Sequence, residues 1–230
     1  MRVGVLFSGG KDSTFAYHWA VLHGFEVSCL ITLRPKSTES WMFHYPCIDL
    51  TQIQAEAIEL PQIFVETSGE KDVELQDLKR ALEEAKSKFK IKGLVTGALL
   101  SDYQRMNINI VCEEVGLRTY SPLWRKNQEQ YMRDLIEFGF KIVITSINVM
   151  GLDPSLIGKV LTSEDVEKII QLSRKFGFNP AFEGGEAETL VIDAPLFKKR
   201  IEILDYEIVK ETEYSWRMHI KKVKLVPKYC

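Results

Sequence analysis

The chain has little of what marks several common protein classes. Its four cysteines stand at 29, 47, 112 and 230, and none forms a C-x-x-C pair. Zinc-ribbon and thioredoxin-type chemistry therefore lack their ligands. The wide scatter suits a reducing compartment better than a disulfide framework. No window reaches 18 consecutive apolar residues, so no membrane-spanning helix is expected. The apolar stretch Val3 to Phe7 is too short for a secretory leader and runs into glycines rather than a cleavage site. A cytoplasmic location is expected. Basic surplus is also missing: 30 Lys and Arg stand against 32 Asp and Glu, a net charge of −2. A general nucleic-acid partner is therefore not expected. Neither G-x-x-x-x-G-K-[ST] nor G-x-G-x-x-G, the two commonest glycine-loop fingerprints, occurs.

What is present supports a folded chain of one large domain or one domain with an appendage. There are 230 residues, 45% of them hydrophobic, enough for a buried core. Through the first half, short apolar runs alternate with amphipathic stretches. Residues 3–7, 25–33, 62–66, 93–96 and 117–120 read as strands, and 12–23, 49–60, 73–89 and 102–115 as helices. That alternation predicts parallel βαβ units, an α/β fold with a Rossmann-like, doubly wound, five-stranded sheet. Beyond 122–127 the pattern changes to a helix over 127–138, a strand over 141–148 and a helix over 163–176 that Thr162 or Ser163 would cap. Extended segments follow at 190–192, 201–209 and 216–225, where polar and apolar residues alternate. The expected organisation is 1–124 as one domain and 125–230 as a smaller C-terminal α+β domain.

The most informative segment is Ser8-Gly9-Gly10-Lys11-Asp12-Ser13, which follows a predicted strand and opens a predicted helix. Two glycines let backbone approach an anion, and a helix start offers N–H groups and a positive dipole end. Ser8 and Ser13 add hydroxyl donors, and Lys11 a full charge. Three further stretches are too polar and dense for plain loops. Gly97 to Arg105 leads from the fourth strand into a helix that Ser101 or Asp102 would cap, leaving Tyr103, Gln104 and Arg105 in the first turn. Glu183, Gly184, Gly185, Glu186, Glu188 and Thr189 form an acidic turn ahead of a strand, suited to a cation, an amine or ammonium. Residues 37–44 place Trp41, Phe43 and His44 in a long loop after the second strand. The strand ends Ile31-Thr32 and Thr96-Gly97-Ala98 read equally as nucleotide contacts or as sheet packing.

The loop resembles the S-G-G-x-D-S signature of the PP-loop ATP pyrophosphatases, the adenine nucleotide α-hydrolases. The four stretches together resemble the diphthine–ammonia ligase branch of that superfamily: S-G-G-K-D-S at 8–13, M-F-H at 42–44, G-x-L-x-S-D-Y-Q-R at 97–105 and E-G-G-E-x-E-T at 183–189. None of the four departs from the pattern. The resemblance implies a chain that cleaves ATP between its α and β phosphates. It would adenylate the carboxylate of diphthine, a modified histidine on elongation factor 2, and let ammonia displace AMP. In that scheme Ser8 to Ser13, Ile31, Thr32 and Gly97 would contact ATP, and Lys11 would stabilise charge on departing pyrophosphate. Asp12 would help hold Mg²⁺. Phe43, His44, Ser101 to Arg105 and the 183–189 turn would bind substrate, with Glu186 taking the proton from ammonium. Aromatic faces of Trp41, Phe43 or Tyr103 would suit a trimethylammonium group. No glutaminase module is apparent, so ammonium is the expected nitrogen source. The oligomeric state stays open, with a homodimer among the assemblies allowed. Two rival functions are a tRNA-modifying PP-loop enzyme, against which the charge balance and lone cysteines speak, and a non-catalytic nucleotide sensor, which would not need the acidic turn.

Overall fold

The computed structural model describes residues 1–35, 48–68 and 71–228. Two compact units divide the chain at residues 125 and 126.

In the first unit, strands β1 (Arg2–Leu6), β2 (Glu26–Pro35), β3 (Gln62–Thr67), β4 (Gly93–Val95) and β5 (Arg118–Tyr120) alternate with helices α1 (Lys11–Leu22), α2 (Leu50–Ile58), α3 (Lys71–Phe89) and α4 (Asp102–Val115). The strands form one parallel sheet in the order β3-β2-β1-β4-β5. Helices α3 and α4 bury their apolar stripes on one face, where Leu78, Leu82, Val111 and Cys112 meet Cys29, Ile31, Leu33 and Leu94. Leu78, Leu82 and Leu94 have no exposed surface, and burial of each is worth about 1.5–3 kcal/mol. Side chains alternate along a strand, so Thr32 points to the other face. There Gln62 Nε2 donates to Thr32 Oγ1 at 2.8 Å and to Thr51 Oγ1 of α2 at 2.9 Å. The doubly wound α/β sheet read from the sequence is therefore present. The strand order reverses between β1 and β4, and ligands of such sheets bind at the carboxyl ends beside that reversal.

The second unit holds α5 (Gln128–Glu137), β6 (Lys141–Asn148), a 3₁₀ turn (Pro154–Leu156), α6 (Ser163–Phe176), β7 (Ala187–Asp193), β8 (Lys199–Lys210) and β9 (Ser215–Pro227). Its antiparallel sheet has the order β7-β6-β9-β8. Thr162 caps α6 in a reciprocal box with Asp165, and Gly177 ends the helix at φ 79°. Helices α5 and α6 are joined by paired guanidinium–carboxylate contacts, Arg133 to Glu167 and Arg174 to Glu129. No described helix is long and apolar enough to cross a membrane.

The strand expected at 190–192 begins earlier, at Ala187. Three residues of the acidic turn are thus strand rather than loop. Their polarity hid this, because Glu188 pairs across the sheet with Ser146 instead of an apolar neighbour.

Candidate active site

The segment after β1 is held by its own side chains. The Ser8 amide donates to Ser13 Oγ at 3.2 Å, the two hydroxyl oxygens lie 3.2 Å apart, and Ser13 Oγ donates to the Gly10 carbonyl. Gly9 takes φ 78°, a left-handed conformation that glycine adopts without cost. A Cβ there would also collide with the carboxamide of Gln54, whose Nε2 donates to the Gly9 carbonyl at 2.8 Å. Gln54 is fully buried on α2. It ties the loop to a helix 45 residues away, and nothing in a single mid-helix glutamine announces that role.

Gly10 precedes α1 in an extended conformation, and no side chain caps the helix start. A helix opened by glycine presents backbone N–H groups outward, the arrangement that receives phosphate. Lys11 is only 3% exposed, and its Nζ lies 2.8 Å from Asp12 Oδ2. The buried ammonium and its carboxylate partner therefore stand at the mouth of the same turn. Just beyond them, Thr14 Oγ1 is buried without a hydrogen bond to any described residue.

Gly97 approaches this turn from β4. A Cβ on it would stand 2.7 Å from the Asp12 carbonyl carbon and 2.8 Å from the Ser13 nitrogen. The close approach is between backbones, so glycine is required. Thr96 Oγ1 accepts the Ala98 N–H at 3.0 Å and fixes the bend. Ser101 then caps α4 by accepting from the Gln104 N–H, which settles the capping choice in its favour. Arg105 lies 3.7 Å from Asp102, and its guanidinium sits over the Trp124 ring at 4.3 Å. Arg125, in a left-handed backbone at φ 58°, reaches the same ring at 5.7 Å. Its N–H donates to the Leu99 carbonyl. Trp124 and Arg125 were not among the residues singled out from sequence. They fall in the 122–127 stretch where the sequence pattern changes, and the fold sets Trp124 against Arg105 of α4.

Sequence expectations fare unevenly here. Ser8 to Ser13 and Gly97 are brought together. The side chains of Ile31 and Thr32 are 0% and 1% exposed, and the Thr32 hydroxyl donates to the Phe7 carbonyl at 2.6 Å. Both side chains are packed within the sheet. Tyr103 packs against the α3–α4 core. Trp41, Phe43 and His44 lie outside the described residues.

The acidic turn belongs to the second unit. Phe182 at φ 63° and Gly185 at φ 80° fold it back. Both carboxylate oxygens of Glu186 accept backbone N–H groups, from Asn179 and Gly184, each at 2.8 Å. A Cβ on Gly184 would stand 2.8 Å from that carboxylate, which would have to shift to admit it. Glu188 on β7, Ser146 on β6 and Arg217 on β9 stand in register across three strands. Arg217 pairs with Glu211 at 2.9 Å. Arg217 was missed from sequence because its neighbours alternate like any exposed strand.

The buried thiols are inert. Burial pushes Cys29 up to about 12 and raises Cys112 as well, so neither offers a thiolate near neutrality. Among the described residues no cluster of three His, Cys, Asp or Glu side chains is placed to hold a metal ion.

The comparisons with known proteins match this arrangement along the chain. The sequence model of the Diphthamide synthase N-terminal domain matches residues 1–119, and that of the Diphthamide synthase C-terminal domain matches residues 127–226. The chain belongs to the diphthamide synthase family. Members of that family named diphthine–ammonia ligase include a human protein, 33% identical over 91% of this chain and 85% of its own length. The mouse protein is 32% identical over 99% of this chain and 96% of its own. The fission yeast Schizosaccharomyces pombe protein is 36% identical over 92% of this chain but only 38% of its own length.

Proposed function

We propose that this chain is an AMP-forming diphthine–ammonia ligase, an ATP-dependent enzyme acting on a diphthine-bearing protein. The observation that carries the chemistry is the uncapped start of α1, with buried Lys11 beside Asp12 and backbone cleared on both sides by Gly9 and Gly97. These residues fit a triphosphate. ATP supplies the leaving group that a carboxylate lacks at neutral pH. Gly9, Gly10 and the first turn of α1 bind its phosphates, with the Ser8 and Ser13 hydroxyls completing the cradle. Lys11 gathers the negative charge that grows on departing pyrophosphate, an electrostatic role that strengthens in a dry site. Asp12 is the residue we assign to Mg²⁺. With no protein cage of three ligands among the described residues, the ion would be held chiefly by phosphate oxygens.

Residues 1–124 are assigned to ATP and residues 125–230 to the protein substrate. On the first, Asp102, Gln104 and Arg105 of the α4 start face substrate, with Phe43 and His44 assigned there from the motif. On the second, Glu183, Glu188 and Thr189 do so, with Gly184 and Gly185 shaping the turn. Glu186 is assigned to ammonium. Its carboxylate already accepts two backbone N–H groups and holds two further lone-pair sites for an ammonium ion. We take the protein to be elongation factor 2 carrying diphthine, the nitrogen donor to be ammonium and the compartment to be the cytoplasm.

The decisive experiment incubates the chain with ATP, Mg²⁺, ammonium and elongation factor 2 bearing diphthine. AMP, pyrophosphate and a mass change on the factor are expected. ADP without AMP would reject α/β cleavage. Full ligation by Glu186→Gln would remove that residue from the ammonium step alone.

A further inference from the structure

The end of the first sheet away from the phosphate loop is formed by the starts of β1, β2, β4 and β5 and the last turns of α3 and α4. It surrounds a cavity of about 800 Å³, within the range that receives small molecules. Five cations line it, Arg2, Lys86, Lys90, Lys92 and Arg118, against one carboxylate, Glu26. The whole chain has a net charge of −2, so this is a local concentration against the overall sign.

Part of that charge has an internal use. Helix C-termini attract cations, and Lys86 Nζ donates to the Val115 carbonyl at the end of α4 at 2.6 Å. Arg2 is answered by Glu26 at 2.9 Å. Lys90, Lys92 and Arg118 are left over: among the described residues none of the three side chains makes an ion pair or hydrogen bond. Two of them are nevertheless fixed in place. Lys92 N–H donates to the Arg2 carbonyl and Arg118 N–H to the Lys92 carbonyl, so three cationic residues stand side by side on adjoining strands. Lys90 occupies a left-handed position at φ 56° just after α3, where glycine is the usual residue. A lysine there accepts backbone strain and adds to the repulsion. Buried Ile91 and exposed Met1 add apolar atoms to the cavity lining.

We propose that this cavity binds a compact anion carrying two or more phosphates, at a second site distinct from the phosphate loop. Clustered ammonium and guanidinium donors recognise phosphate oxygens by charge-assisted hydrogen bonds. The concave shape favours a small di- or triphosphate over an extended acidic peptide. The source is a free inorganic polyphosphate or the phosphate tail of a nucleotide, and the test separates the two.

The test is calorimetric titration of the full chain with pyrophosphate, tripolyphosphate, ATP and a single-stranded oligonucleotide. Wild type is expected to take up two equivalents of tripolyphosphate. Lys11→Ala should lose the loop equivalent and keep the other. Adding Lys92→Glu and Arg118→Glu should weaken the retained site by roughly tenfold or more, while the same pair in the wild-type background leaves AMP formation unchanged. The neutral pair Lys92→Gln and Arg118→Gln, less prone to disturb folding, should give a smaller loss with an unchanged near-UV circular dichroism spectrum. ATP competing at the retained site assigns a nucleotide, and its failure to compete assigns inorganic polyphosphate. A single equivalent that disappears with Lys11→Ala overturns the proposal. So does a retained site indifferent to charge reversal, or uptake of the oligonucleotide without tripolyphosphate. Binding is read without turnover, so its failure is distinct from failure of the ligase reading.

Discussion

Lys11 and Gly97 act on the same turn by opposite means, one by charge and one by absence. Removing the charge with Lys11→Ala should cut AMP formation by about 10²–10³-fold, the usual loss when one preorganised electrostatic donor is deleted. Steady-state assay of AMP checks this, and an unchanged rate would put the pyrophosphate elsewhere. Gly97→Ala would set a methyl group 2.7 Å from backbone of α1. It should cost about 1–3 kcal/mol in urea denaturation and raise the KM for ATP, because the helix start must move. A stabilised or neutral variant would show that β4 and α1 can part freely. In the second unit Lys168 and the Ser155 N–H hold the Asp153 carboxyl down to about 2, from an ordinary 3.8. A carboxylate lowered in the native state stabilises above its unfolded pKa, and that contribution is lost as pH falls from about 4 toward 2. Asp153→Asn should therefore lower Tm at neutral pH, and the difference should shrink as pH falls from about 4 and disappear only below about 2. Equal losses at both pH values would place its role outside charge. Lys11 and Gly97 were both legible in the sequence, one as the loop's cation and one as a motif glycine. Gln54 and Trp124 were not, because their partners, Gly9 and Arg105, are brought to them by folding and not by spacing.

At the scale of elements, the sequence was clearest where one turn of chain contains its own reason. Helix α6 was placed at its observed bounds because Thr162, Asp165 and Gly177 are a start and a stop. The start of α4 was legible to within a choice of caps. Ser101→Ala should cost about 1 kcal/mol, read by urea denaturation, whereas a loss near zero would mean that Asp102 takes over. Less legible was the length of strands at a sheet end. Polar Glu188 and Thr189 belong to β7 because Ser146 and Ile144 pair with them, a fact settled elsewhere in the chain. The 3₁₀ turn at Pro154–Leu156 was missed for its shortness. The loop over 37–44, read from its motif, lies outside the described residues.

For the molecule as a whole, alternation of strands and helices was enough to give the first sheet, because parallel strands need a crossover after each. It was not enough to find the basic cavity, whose residues come from the starts of β1, β2 and β5, the end of α3 and the connections that lead into β4 and β5. The first unit has its own core and carries the phosphate loop. A fragment of residues 1–125 should therefore fold and bind ATP but give no amide product. A fragment that fails to bind ATP would show that residues 126–230 complete the nucleotide site. The strand order has one more consequence, and it concerns timing. β1 lies at the middle of the sheet, paired on one side with β2 and on the other with β4. Its second partner is synthesised about 90 residues later, and contacts so far apart in sequence form slowly. Until Gly93–Val95 leaves the ribosome, the edge of β1 carrying Val3 and Val5 stays open to any passing strand. The segment over residues 8–13, which we assign to phosphate, is thus made beside an open strand edge, the kind of surface that chaperones guard.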